Sequence, residues 1–558
     1  VSELTARFLV QRLRDWDVGH LFGCEGTGPG PVAAAISAAG DPIRYVSCAD
    51  EEFAMMQAVG YAKFSGKPGV CLADGFSGAV RLLNGLYDAA LDRVPAVAVV
   101  DARGGRRAGT DLRGLFREAV GDRTYLAATP DELPGQLDRA LRGALADGRP
   151  AALLLPDARP SAPAAGRRDP PRPRLGAVGF TPPVSTAIER EVSRAADIID
   201  SGDRVVLMVG PGAADAAAEV RELAEITRAG IAKVPLGKDV LADDLPYVTG
   251  TLTADIDGPC NELLRDCDTL VIIGSGPAAT PVVPWSGRRA VQIDRDAAGM
   301  GTPYPTEVNL VGDARSTLRA LLWRLDGSSR RPGRHRWRRR VEAEAARWWR
   351  SVDGHPPYPA GLEAPMRVCQ ELSVRLPDNA VVTAEPGLAG TGYTQVLRFG
   401  SGMRGSLSSS LAAVGTGLPY ALGAKFAAPD RPVIALADEK AMRANGLAGL
   451  LAISGHHRRW DDPRLVLCLL GEGDGGAGEG DGGAGEPAGG GSPSPVDFAA
   501  LARSVGIEGI TVTGADDLGA AWDRALAARR PVLLDARGTG AAARPRRRTA
   551  SRGGSVSA

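Results

Sequence analysis

Short apolar runs recur along this chain, each bounded by glycine, proline or aspartate and each followed by a helical pattern. In residues 1–157 they are "GHLFGC", "IRYVSC", "PGVCLA" and "PAVAVVDA"; in 183–327, "RVVLMVG", "GIAKVPL", "TLVIIGSG" and "RAVQIDRD"; in 360–540, "AVVTAE", "PVIALAD", "RLVLCLL" and "RPVLLDA". A run with no in–out alternation reads as a strand buried on both faces. Strands separated by helices are joined by right-handed crossovers into parallel sheets. The pattern predicts an α/β protein of three consecutive doubly wound parallel-sheet domains. The length, 558 residues, is too great for one core and agrees with that division.

The intervening segments differ in composition. Residues 158–182 are rich in Pro and Arg and read as a linker; residues 328–359 are strongly basic and read as a solvated interdomain helix. Residues 471–495, "GEGDGGAGEGDGGAGEPAGGGSPSP", form a Gly-rich insert, and 541–558 a polar tail. Lys plus Arg equals Asp plus Glu at 66 each, so the overall charge points to no nucleic-acid partner. Seven scattered Cys without a C-x-x-C pair predict neither a disulfide framework nor a zinc site. "VSELTARFLVQRLRDW" reads as a charged amphipathic helix rather than a signal peptide, and no apolar run reaches the roughly 20 residues of a membrane span. The expectation is a soluble, cytoplasmic protein.

Chemistry-bearing motifs narrow this further. The stretch "CADEEFAMMQAVGYAKFSGKPGVCLADGFSGAV" resembles the first domain of thiamine-diphosphate enzymes of the pyruvate oxidase and acetolactate synthase type. "VPLGKDVLADDLPYVTGT" resembles their central domain, and "GMRGSLSSSLAAVGTGLPYALGAKFAAPDRPVIAL" their third. The resemblance implies a pyrimidine-binding, a central and a diphosphate-binding domain in that order. It also implies a homodimer or homotetramer with the active site between subunits, so that Glu51 faces the diphosphate turn of a neighbouring chain. The implied reaction is decarboxylation of a small 2-oxo acid such as pyruvate, followed by carboligation or oxidation. A non-catalytic relative serving as scaffold or regulator is the alternative, and a nucleotide-binding oxidoreductase a second one.

Glu51 lies nine residues before Gly60-Tyr61-Ala62 and matches the family's catalytic Glu, which shifts the cofactor's aminopyrimidine to its imino form. Asp50 replaces the His that usually precedes it. Alone, Glu51 and Glu52 read equally as a favourable helix N-terminus.

At the diphosphate end, "IALADEKAMRANG" puts Asp438-Glu439-Lys440 on the family's Gly-Asp-Gly. Glu439 and, after the next strand, Glu472 then stand at the metal-ligand positions, with Asp474 where a backbone carbonyl is donated. Lys440, Ala441 and Met442 carry over as cofactor-binding positions. So do Gly387 of Glu385-Pro386-Gly387 and Val414, Gly415 and Gly417 of "VGTG", Val414 taking the place of a propping Met. The implied cofactors are thiamine diphosphate and Mg²⁺, the second put in question by the altered turn. Two readings stay open: the carboxylates still hold a cation, or Lys440 with Arg443 neutralises diphosphate without one; alternatively, the site has relaxed.

The substrate side also departs from the family. Gly75-Phe76-Ser77-Gly78, Ala102 and Cys24-Glu25-Gly26 stand at its positions. The turns "GPGAAD" and "GSGPAAT" hint at a dinucleotide without completing G-x-G-x-x-G. Some relatives bind FAD, and these turns do not call for it.

Overall fold

The computed structural model describes residues 3–24, 30–39, 43–101, 111–155, 178–253, 256, 258–276, 288–302, 304–325, 331–354, 358, 362–471 and 496–540. Most of the 158–182 linker, all of 472–495 and all of 541–558 lie outside these residues.

Three six-stranded, wholly parallel sheets follow one another. The first contains β1 (His20–Cys24), β2 (Arg44–Cys48), β3 (Gly69–Asp74), β4 (Ala96–Asp101), β5 (Thr124–Leu126) and β6 (Ala151–Leu155), in the order β2-β1-β3-β4-β6-β5. The second contains β7 (Val205–Val209), β8 (Gly230–Lys233), β9 (Val248–Thr251), β10 (Thr269–Ile273), β11 (Arg289–Asp294) and β12 (Val308–Val311), in the order β12-β11-β10-β7-β8-β9. The third contains β13 (Val381–Ala384), β14 (Arg404–Leu407), β15 (Val433–Ala437), β16 (Leu465–Leu469), β17 (Glu508–Thr511) and β18 (Val532–Asp535), in the order β14-β13-β15-β16-β18-β17.

The expected architecture is therefore present, and the outer two sheets share one topology. Each sheet has two strands more than the apolar runs predict. Most of the additional strands lie at sheet edges, where β12 alternates buried and exposed residues and β14 and β17 read only "RGSL" and "EGIT". An edge strand has one uncovered side and needs no continuous apolar run. The exception is β6, fully buried "AALLL", whose Ala-Leu composition is equally that of a helix.

The first and third domains share one core. The helix Glu51–Ser65 lies against the helix Gly417–Ala427, and both lack a side chain where they meet. A Cβ on Gly60 would come 2.5 Å from Cα of Tyr420, and one on Gly423 would strike the backbone of Gln57 and Tyr61. Polar bridges surround the contact. Lys63 Nζ reaches Asp92 at 2.8 Å and the carbonyl of Leu407 at 2.9 Å, and Ser408 and Tyr420 donate to buried Asp88.

The central domain is clamped to the third by a fully buried cluster. Asp243 accepts from Lys233 (2.6 Å), Lys238 (2.9 Å) and the Phe399 amide (2.9 Å). The basic segment after residue 328 corrects the expectation of a solvated helix. Pro332–Asp353 is helical, but Trp337, Val341, Ala345, Trp349 and Val352 are buried, and so are Arg334 and Arg338. Those arginines donate to backbone carbonyls of Gly202, Ile199, Asp200 and Ala224, a use of charge that composition does not reveal.

Gly60→Ala is expected to destabilise the protein by about 1–3 kcal/mol despite the gain in helix propensity, because the methyl meets backbone rather than a movable side chain. Chemical denaturation of the variant beside the wild type measures it.

Candidate functional site

In an open parallel sheet, ligands bind beyond the carboxyl ends of strands where the strand order reverses. In the third sheet that point falls between β13 and β15. The turns leaving these two strands are Glu385-Pro386-Gly387 and Asp438-Glu439-Lys440, the two segments singled out from the sequence.

Gly387 has φ +79° and open space where a Cβ would stand, a conformation suited to glycine. Gly415, at φ +85°, packs on Asn445, whose Nδ2 donates to the Gly415 carbonyl at 2.9 Å. Asn445 lies in a turn of π-helix, Met442–Gly446, a distortion common at functional sites. Asn445 Nδ2 also lies 3.8 Å from Met56 Sδ, which places the first domain's helix Glu51–Ser65 beside this turn. Ala441 and Met442 are buried; Val414 is half exposed, at 50%.

Glu385 is buried, and its carboxyl receives the backbone N–H groups of Gly415 (2.8 Å), Thr416 (3.3 Å) and Gly417 (2.5 Å). Those amides open the helix Gly417–Ala427, a place where an anion is well held. Here the chain's own carboxyl fills it. Burial pushes the Glu385 carboxyl up to about 7, the nearby Asp438 adds to this, and the three amides oppose it.

Asp438 caps the next turn, accepting from the Ala441 amide at 2.8 Å. Glu439 is held by two arginines. Arg443 donates to Oε1 through Nε (3.0 Å) and Nη2 (2.5 Å), and Arg537 donates to Oε2 through Nη1 at 2.6 Å. Burial raises the Glu439 carboxyl, but the two guanidinium groups outweigh it and the net displacement is downward. Lys440 is exposed. Glu472 and Asp474 lie outside the described residues, as do Ala102, Glu25 and Gly26. Among the described residues there is no cluster of three or more His, Cys, Asp or Glu that could hold a metal ion.

Glu51 opens the helix Glu51–Ser65, which Asp50 caps by accepting from the Phe53 amide at 2.8 Å. The adjacent glutamates part company. Glu52 accepts from Asn84 Nδ2 at 2.7 Å, while Glu51 lies under Gly78, where a Cβ would come 2.7 Å from its Oε1. Arg81 stands 4.0 Å from Oε2 of Glu51 and 3.1 Å from Asp50. Among the described residues Glu51 bonds to neither turn of the third domain.

The sequence reading missed Arg537. It follows β18 and is gripped by Asp535 at 2.8 Å and 2.7 Å. The available signal was the Asp-x-Arg at the end of the run "RPVLLDARG", at a strand's carboxyl end.

Comparison with known proteins finds a match in each of the three domains. Residues 4–124 match the thiamine pyrophosphate enzyme N-terminal TPP binding domain, 192–321 the central domain and 476–536 the C-terminal TPP binding domain. The chain belongs to the thiamine pyrophosphate enzyme family. Within this family it is 26% identical to a putative thiamine pyrophosphate-containing protein of Bacillus subtilis, YdaP, covering 94% of this chain and 90% of that one. It is 27% identical to the pyruvate oxidase of Lactiplantibacillus plantarum (78% and 72% covered) and 27% identical to the acetolactate synthase isozyme 2 large subunit of Escherichia coli (95% and 94%). The thiamine pyrophosphate family's third-domain match begins at residue 476 and leaves the turns at 385–387 and 438–440 outside it.

The two glycine turns of the central domain serve packing. Gly210 and Gly212 lie against Gly274, backbone to backbone, and each fills the space a Cβ on the other would need. A cleft of about 620 Å³ beside them is lined by Arg93 and Arg149, but both guanidinium groups are paired, Arg93 with Asp294 and Asp296 and Arg149 with Asp296. The helices include none long and apolar enough to cross a membrane among the described residues.

Glu385 provides a pH test. Its carboxyl keeps a proton in the fold up to about 7, whereas the ordinary value is 4.5. Its contribution to stability is therefore present below 4.5 and lost as pH rises through 7. Glu385→Gln removes that titration. The stability of the wild type relative to this variant is expected to fall by about 3 kcal/mol across the interval, read by urea unfolding at a series of pH values.

Proposed function

We propose that this chain uses thiamine diphosphate to decarboxylate a small 2-oxo acid such as pyruvate and to pass the remaining unit on by ligation or oxidation. The observation that carries the reading is Glu51, opening a capped helix beneath a glycine that leaves just enough room for its carboxyl. Pyruvate oxidase and acetolactate synthase relatives that cover most of this chain support the reaction class.

Thiamine diphosphate, when bound, supplies a carbanion at C2 of its thiazolium ring. Glu51 would hold a proton against a nitrogen of the aminopyrimidine. Asp50 fixes the helix start that aims it, and Asn84 keeps Glu52 aside. Val414 would support the cofactor from below, and the backbone at Gly387, Gly415 and Gly417, with Lys440, Ala441 and Met442, would line the diphosphate end.

We read the working unit as a homo-oligomer in which Glu51 of one chain faces the diphosphate turn of another. An uncovered apolar strip supports it. Val414 is 50% exposed, and Leu447 and Leu451, one helical turn apart, are each 53% exposed. The cytoplasm is the compartment we assign, on the reduced state of all seven Cys, most of them buried.

Glu51→Gln preserves size and hydrogen bonding but cannot exchange a proton. It is expected to lower pyruvate turnover by roughly 10²–10⁴-fold with the unfolding midpoint unchanged. Carbon dioxide release in the presence of thiamine diphosphate measures this, and wild-type turnover in the variant refutes the assignment.

A further inference from the structure

The divalent cation expected after β15 does not fit the described residues that stand there, Glu472 and Asp474 lying outside them. Mg²⁺ asks for about six oxygen ligands at about 2.0–2.1 Å in near-octahedral order. Both oxygens of Glu439 are already engaged by guanidinium groups, and Asp438 is engaged in its cap. A cation placed on Glu439 would have to displace Arg443 and Arg537 or sit against their positive charge.

Arg537 is built into its position. Its Nε and Nη2 grip the Asp535 carboxylate, Nη2 also donates to the Val496 carbonyl at 2.8 Å, and the guanidinium lies 4.7 Å over the Phe498 ring. Strand β16 lies between β15 and β18, so the bond from Arg537 to Glu439 passes across the carboxyl end of β16. Gly471, where the chain leaves that strand, packs against the Arg537 backbone and has no room for a Cβ. A positive group thus joins the ends of β15 and β18 and crosses the end of β16, the strand after which the second metal ligand was expected.

We propose that Arg537 and Arg443 replace the divalent cation, so that the cofactor's diphosphate is bound by guanidinium groups without metal. This rests on the thiamine-diphosphate reading above and concerns only how the diphosphate is held. Guanidinium matches phosphate geometry and keeps its charge at any working pH. Both arginines retain N–H groups without partners among the described residues, since Arg443 uses only Nε and Nη2 and Arg537 places a single bond from Nη1. Glu439 is then a positioning residue that orients the two cations. The amides at Gly415–Gly417 are already filled by Glu385, so the anion would be met by side-chain cations rather than by this helix start.

The test is calorimetric titration of the full chain with thiamine diphosphate, once in EDTA and once in excess Mg²⁺. The expected result is equal affinity in both. In EDTA, Arg537→Gln is expected to weaken binding by roughly 10–100-fold, the worth of a charged hydrogen bond. Arg443→Gln, a partly exposed change that spares the core, is expected to act in the same direction should Arg537→Gln fail to fold. Glu439→Gln keeps an acceptor for the arginines but not the charge: binding in EDTA within a few-fold of the wild type supports the inference, whereas binding in excess Mg²⁺ that is lost in this variant marks Glu439 as a metal ligand and overturns it. Binding that appears only with Mg²⁺ overturns this inference and leaves the cofactor reading standing. No binding in either condition overturns both.

Discussion

Two glycines, Gly60 and Gly423, allow the helices of the first and third domains to touch through their backbones. The other contacts between these two domains are arranged around it. It sets Met56 against Asn445, and Asn445 in turn holds the Gly415 carbonyl. It also aligns Lys63 and Asp88 with the segment Leu407–Ser408, so that polar bridges close around an apolar seam. Side chains of any size at the crossing would separate the two sheets.

In the third domain, the place where the family resemblance expects a diphosphate end carries a different set of charges. The strand ends still converge at a reversal of strand order, and the positive-φ glycines still expose backbone there. What differs is the charge. One carboxyl, Glu385, occupies the helix N-terminus, and another, Glu439, lies between two arginines. The turn after β15 holds an ion-pair network closed by a residue almost a hundred positions further on. Guanidinium and carboxylate satisfy each other in a half-buried place, which is physically coherent without a metal.

Much of the architecture was legible because buried parallel strands must be continuously apolar. "PAVAVVDA" and "RLVLCLL" admit little else, and they lie at sheet centres. The edge strands β14 and β17 were not legible, since one open side relaxes the requirement. The helix that opens on Glu51 could be read because its distance to Gly-Tyr-Ala is local, a matter of helical turns within one element. Arg537 could not, because its partner Glu439 lies on another strand, and only the order β15-β16-β18 makes them neighbours. The arginines of Pro332–Asp353 failed for a related reason: charge suggested solvent, while carbonyls at the ends of distant helices supplied a buried use.

By itself, then, the order of residues determined three parallel α/β units, the helix that carries Glu51 and the turns that leave β13 and β15, all consequences of short-range periodicity and spacing. Tertiary structure alone decided which carboxylates remain available. Whether Glu439 meets a cation or a guanidinium depends on which strand ends the sheet brings side by side, and that is a property of chain crossing rather than of any local stretch.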